Sequence, residues 1–272
     1  MKKKTKQILA ILAIVVIVAM YAATLIFSLI KSPAAQTLFR ASLACTFLVP
    51  VIIYVIILVA RTARPSKSPV IDTLIFDVGH VLMDFSWQDY IKNMGLSEGA
   101  LDVFFKTPAF NDLWHEFDLG NLSDNEIRQR YKEAFPEYEE DILRFIDGVP
   151  ECFIPFDYTF DMIASLKNRG YKLYILSNMP KFLYDKAHDC GDMAFENFMD
   201  GAYWSYRVHM TKPDERIYRS LIKEYKIDPK KAVFIDDMEK NTTAAKAEGL
   251  GAITFTSYSD LKTRLGDLGV KW

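Results

Sequence analysis

The chain has 272 residues, half of them hydrophobic, and a formal net charge of −2. That average conceals two unlike parts. Residues 1–67 carry nine Lys/Arg and no Asp or Glu, leaving 24 basic and 35 acidic residues, a net charge of −11, in 68–272. These numbers exclude a wholly soluble chain, a disordered one and a small disulfide scaffold, and an acidic domain of this kind argues against a nucleic-acid partner.

Residues 8–30 are 23 uncharged, mostly apolar residues. As a helix they would reach roughly 34 Å, enough to cross a hydrocarbon core of about 30 Å. Residues 41–60 form a second charge-free run, with Pro50 inside it, a residue tolerated in membrane helices. A secretory signal peptide is the competing reading of the first run, but its apolar stretch is only about 7–15 residues long. The pattern predicts a transmembrane hairpin followed by a linker, together residues 1–67. Four lysines precede the first span and Arg61, Arg64 and Lys67 follow the second, whereas the connection carries only Lys31 and Arg40. The positive-inside bias predicts a multi-pass protein of the cell membrane with both termini in the cytoplasm. The three cysteines, Cys45, Cys152 and Cys190, form no disulfide or zinc pattern.

Beyond the linker, 71–77, 171–176, 201–205, 232–236 and 251–255 read as buried strands, separated by helical patterns at 157–168, 214–226 and 239–248. This alternation predicts an α/β fold with a Rossmann-like parallel sheet, residues 68–85 and 156–272. The stretch 86–155 breaks it. Rich in Phe, Leu, Tyr and Trp at helical spacing, it reads as an inserted helical cap, with Ser97 as an N-cap and Ser123-x-x-Glu126 as a capping box. Trp114, Phe117 and Leu119 are expected in the cap core.

Ligands of parallel α/β sheets sit beyond the carboxyl ends of the strands. Those ends present Asp77, the pair Ser177–Asn178, and the pair Asp236–Asp237, with Lys212 opening the helix after the third large strand. Converging carboxylates repel unless a cation lies between them, and hard oxygen ligands favour Mg²⁺. A lysine, a hydroxyl and an amide suit phosphate oxygens, and an aspartate can attack phosphorus.

The segments FDVGHVLMD, YILSN, TKPDERIY and VFIDDMEKN, in that order over roughly 70–257, resemble the four motifs of the haloacid dehalogenase (HAD) superfamily. The resemblance is to its capped phosphatases of the sugar-phosphate type, with an FDxGxV first motif. It implies Asp77 as nucleophile, with Lys212 neutralising charge on nucleophile and phosphate. Mg²⁺ would be held by Asp77, the Gly79 carbonyl, Asp236 and Asp237. Ser177 and Asn178, with His80 beside them, would contact a small phosphorylated substrate. Asn241 would orient the fourth-motif loop or lie on a surface helix. The family places a second aspartate, the acid/base, two residues after the nucleophile; this chain has Gly79 there. Either the leaving group needs little help, or another group such as His80 or Asp84 serves, or the protein is a slow or non-catalytic relative. His115, His188 and His209 receive no assignment. The resemblance therefore implies a Mg²⁺-dependent phosphatase, with a dehalogenase-like hydrolase and a non-catalytic binding protein as alternatives. The oligomeric state is not legible.

Overall fold

The computed structural model describes residues 21–22, 24–30, 32–62 and 70–272. The chain divides into two compact units, Met1–Ser68 and Pro69–Trp272.

In the first unit, residues 24–29 are helical and a 30-residue helix, α1, spans Pro33–Thr62. The predicted second span, 41–60, lies wholly within α1, whereas most of the predicted first span, 8–30, lies outside the described residues. The side chains of 56–62 in α1 are also outside them, and among the described residues no helix is long and apolar enough to cross a membrane. The Thr24 and Thr46 hydroxyls lie 3.5 Å apart.

The second unit is built on five parallel strands: β1 (Thr73–Phe76), β4 (Lys172–Ser177), β5 (Gly201–Trp204), β6 (Ala232–Asp236) and β7 (Gly251–Thr254), in the order β5-β4-β1-β6-β7. All five occur where the apolar runs predict them. Alternate residues of the central strand face opposite layers, as the two-residue period of a strand requires. Leu74 and Phe76 join one core with Met162, Ile163 and Leu166 of the helix Thr159–Asn168. Ile75 joins the other with Ile217, Tyr218 and Leu221 of the helix Glu215–Glu224. Each such side chain, removed from water, contributes about 1.5–3 kcal/mol.

The strand order reverses about β1, since the chain runs outward through β4 and β5 and then returns to β6 on the other side. That reversal opens a crevice at the carboxyl ends of β1, β4 and β6. Phe76 pairs with both Ile175 and Ile235, so the next residue, Asp77, stands level with the end of β6. Its N–H donates to the Ile235 carbonyl at 2.8 Å.

Between β1 and the helix Thr159–Asn168 the chain builds five α-helices: α2 (Trp87–Asn93), α3 (Glu98–Lys106), α4 (Pro108–Leu119), α5 (Asp124–Ala134) and α6 (Glu139–Gly148). Ser97 caps α3 by accepting from the Ala100 N–H, and the capping box at Ser123 and Glu126 opens α5. An antiparallel ribbon that the sequence reading misses joins these helices to the sheet: β2 (Met83–Phe85) pairs with β3 (Phe153–Pro155). The Thr159 hydroxyl donates to the Leu82 carbonyl at 2.6 Å and the Tyr158 hydroxyl to the Val81 carbonyl at 2.7 Å, fixing the base of the ribbon.

Candidate active site

Asp77 follows β1 directly and is 7 % exposed. Lys212, 4 % exposed, places its Nζ 2.8 Å from Asp77 Oδ1 and 2.7 Å from Asp236 Oδ2. One buried ammonium thus bridges two buried carboxylates from neighbouring strands. Its backbone is held by Asn178: the Lys212 N–H donates to Asn178 Oδ1 at 2.8 Å, and Asn178 Nδ2 donates to the Lys212 carbonyl at 3.0 Å. Asn178 therefore acts first on the lysine, with one amide hydrogen left for a ligand. Asp236 accepts from Asn241 Nδ2 on both oxygens, at 2.9 and 3.0 Å, and from the Met238 N–H at 2.8 Å. Asn241 is buried beneath the fourth-motif turn, which settles its position against the surface-helix alternative.

Asp77, Asp236 and Asp237 bring one carboxylate oxygen each to within 4.8 Å of one another. Burial, and then repulsion from Asp236, raise Asp77 to about 7 despite Lys212. Burial and Asp236 also push Asp237 up, against smaller opposing pulls from His80 and Lys212. Burial works against the Lys212 charge, yet Asp236 and Asp77 outweigh it and hold its pKa above the usual lysine value. The cluster is therefore short of positive charge even with its lysine. An all-oxygen set with that deficit fits a hard divalent cation such as Mg²⁺.

Every residue that the motifs single out lies at this point of the fold. Asp77, Gly79, His80, Ser177, Asn178, Lys212 and Asp237 line one cleft of about 550 Å³, and Asp236 lies buried beneath it. His80 takes a left-handed backbone, φ 57°, where the chain turns from β1 into β2, and its N–H donates to the Met83 carbonyl at 2.7 Å. A side chain on Gly79 would start in open space, with no atom within 4 Å of its Cβ. The missing second aspartate is thus not excluded by packing. Asp84, the other sequence candidate for its role, accepts from the Ser86 hydroxyl on the ribbon and does not line the cleft.

The roof comes from the cap. Phe85, Trp87, Trp114, His115 and Asp118 face the same cleft. Phe117 is core as expected, packed on Phe182 with ring centroids 4.9 Å apart, but Trp114 is only half-buried and lines the cleft. His209, unassigned by sequence, reaches Leu119 of the cap, its Nδ1 2.9 Å from the carbonyl. Asp118 is the one carboxylate that the cap offers to the cleft, and burial raises it to about 8, with repulsion from Asp77 adding to this and Lys212 opposing it. Sequence reading misses it because nothing in EFDLG indicates which helical face meets the sheet.

The sequence model of haloacid dehalogenase-like hydrolases matches residues 71–249, and the chain belongs to that family. Among characterised proteins it is 26 % identical over 211 residues to a D-ribitol-5-phosphate phosphatase of Bacteroides thetaiotaomicron, covering 72 % of this chain and 97 % of that protein. It is 24 % identical over 183 residues to a sesquiterpene phosphatase of Aspergillus oryzae, covering 67 % and 88 %. A HAD family enzyme from Bacteroides thetaiotaomicron, crystallised with magnesium and inorganic phosphate, has a similar fold: TM-score 0.55, 23 % identity, 70 % of this chain and 98 % of that one.

Proposed function

We propose that the chain is a Mg²⁺-dependent phosphomonoester phosphatase acting through an aspartyl-phosphate. The observation that carries this reading is the buried Asp77–Lys212–Asp236 bridge with Asp237 beside it, at the carboxyl ends of β1 and β6 and beneath a cleft. The phosphatase relatives support it. Asp77 is the nucleophile, and Lys212 offsets charge on it and on the incoming phosphoryl group; fixed charge of this kind supplies most of phosphoryl-transfer catalysis. Asp77, Asp236, Asp237 and the Gly79 carbonyl would hold Mg²⁺, whose charge would be shared with the phosphoryl oxygens. Ser177 and Asn178 are placed to donate to those oxygens, and His80 lines the substrate side. Paired carboxylates set this site apart from metal-free carbon–halogen hydrolysis.

A cleft of about 550 Å³ suits a small phosphorylated metabolite, such as a sugar phosphate. Phe85, Trp87 and Trp114 give it an apolar roof for the carbon skeleton. The decisive experiment is phosphate release by the full-length chain from a panel of phosphate monoesters, with Mg²⁺ and with EDTA. We expect turnover only with the metal; no release from any ester, or release unaffected by EDTA, contradicts the reading.

The same proposal places the catalytic unit on the cytoplasmic face of a cell membrane, held by the two N-terminal apolar segments. Support comes from the sequence and from the outward faces of the first unit, where Leu25, Ile26, Leu29, Leu48, Val51 and Ile52 are all exposed. Such a display has no place in water and is ordinary in lipid. The full chain is expected to stay with the membrane pellet through alkaline carbonate and to leave it only in detergent. Release by carbonate would count against the anchor.

A further inference from the structure

Phosphoryl transfer leaves an alkoxide that needs a proton, and Gly79 stands where the family carries the group that supplies it. The cap holds a replacement. We propose that Asp118, in the last turn of α4, is the general acid and base of this site, and the proposal rests on the phosphatase reading above.

Three observations carry it. Asp118 lines the same cleft as Asp77 and Lys212, near enough for the charges of both to act on it. Its carboxyl makes no hydrogen bond or ion pair among the described residues, so it is not committed to holding the fold together. Its neighbours on the chain are nonetheless fixed to the sheet unit. Phe117 packs on Phe182 of the helix Lys181–Asp189. The Leu119 carbonyl meets His209. Gly120, at φ 61°, lies so close to Tyr206 that a Cβ would come within 2.6 Å of the Tyr206 carbonyl oxygen. A carboxyl that holds nothing together, on a backbone pinned at Phe117, Leu119 and Gly120, is positioned for work on a ligand. The desolvation that favours its protonated form agrees with that role.

The steps balance. An Asp77 carboxylate oxygen bonds to phosphorus as the bond from phosphorus to the ester oxygen breaks, and the leaving oxygen takes the Asp118 proton to depart as an alcohol. Asp118, now a carboxylate, accepts a proton from water while the water oxygen bonds to phosphorus. The bond from phosphorus to Asp77 breaks, releasing inorganic phosphate and restoring both side chains.

The test is a leaving-group series on the full-length chain with Mg²⁺: p-nitrophenyl, phenyl and alkyl phosphates, for wild type and Asp118→Asn. A general acid matters most where the leaving group is poorest. The variant should lose about 10²–10⁴-fold in kcat/KM, which reports the leaving-group step, on alkyl phosphates. It should lose little kcat/KM on the nitrophenyl ester, which departs without help and so shows that the variant is folded, although kcat there falls because the base for dephosphorylation is gone. Gly79→Asp in the Asp118→Asn background should recover part of the alkyl-phosphate rate. An equal loss of kcat/KM on every ester, or a change in KM with kcat unaltered, overturns the proposal and leaves Asp118 a binding residue. A wild type inactive on every ester sinks the phosphatase reading and this proposal together.

Discussion

A Lys212→Met variant is expected to lose about 3–5 kcal/mol of folding stability and to fall by at least about 10²–10³-fold in turnover. The reason lies in what the lysine bridges. Asp77 and Asp236 are each under 10 % exposed, and the Lys212 Nζ is within 2.8 Å of both. Methionine keeps the volume and removes the charge, so two carboxylates on adjacent strands face one another across a water-poor site. Breaking a buried ion pair costs more than the pair contributes, because the remaining charge is left without compensation. Denaturant unfolding in EDTA reads the stability term and ester hydrolysis reads the catalytic one. The double variant Lys212→Met/Asp236→Asn should regain much of the stability and none of the activity. Wild-type stability in the single variant would show that the bridge does not carry the charge balance assigned to it.

Asp77→Asn separates chemistry from folding in the opposite direction. Loss of a covalent nucleophile costs on the order of 10⁴–10⁶-fold in turnover, and little should remain with any ester. Stability should rise. Burial holds the Asp77 carboxyl at about 7, well above its ordinary value near 3.8. With a folded pKa above the unfolded one, wild-type stability falls as pH rises from about 4 and levels off above about 7. Asparagine has no proton to lose and escapes that penalty. In EDTA the variant should therefore melt higher than wild type, by a margin growing from pH 4 to 7 and constant beyond. A lower melting temperature at pH 8 would contradict the desolvated carboxylate. Retained turnover would remove Asp77 as the nucleophile.

The sheet and the polar residues at its strand ends were legible in the sequence because the physics there is local. A strand covered on both faces reads as a continuous apolar run, and the residue that ends it points into the crevice. Lys212 could be placed by its motif, although its partnership with Asn178 emerges only in three dimensions, since 34 residues separate them. The roof was not legible. Strands β2 and β3 have three residues each, half-buried, and their pairing spans some 70 residues of helices. Trp114 and Asp118 face the cleft because of how α4 docks, a tertiary outcome that helical periodicity leaves open. The membrane hairpin is a pattern of the sequence: the second apolar run lies within α1, yet among the described residues no helix is long and apolar enough to cross a membrane.

The ribbon of β2 and β3 sets how the roof can move. The chain enters and leaves the cap through two strands hydrogen-bonded to each other, with their base tied to Tyr158 and Thr159. A tether of that kind resists independent bending of its two legs, so the cap helices travel as one paddle on one hinge. Asp118, Trp87 and Trp114 then leave or rejoin Asp77 together. To swing outward the paddle must give up the His209–Leu119 contact and the close seat of Gly120 on Tyr206. With Asp77 and Asp118 in their proposed roles, admission of substrate and assembly of the reacting groups become a single event, and an open cleft is one whose nucleophile has no proton donor facing it.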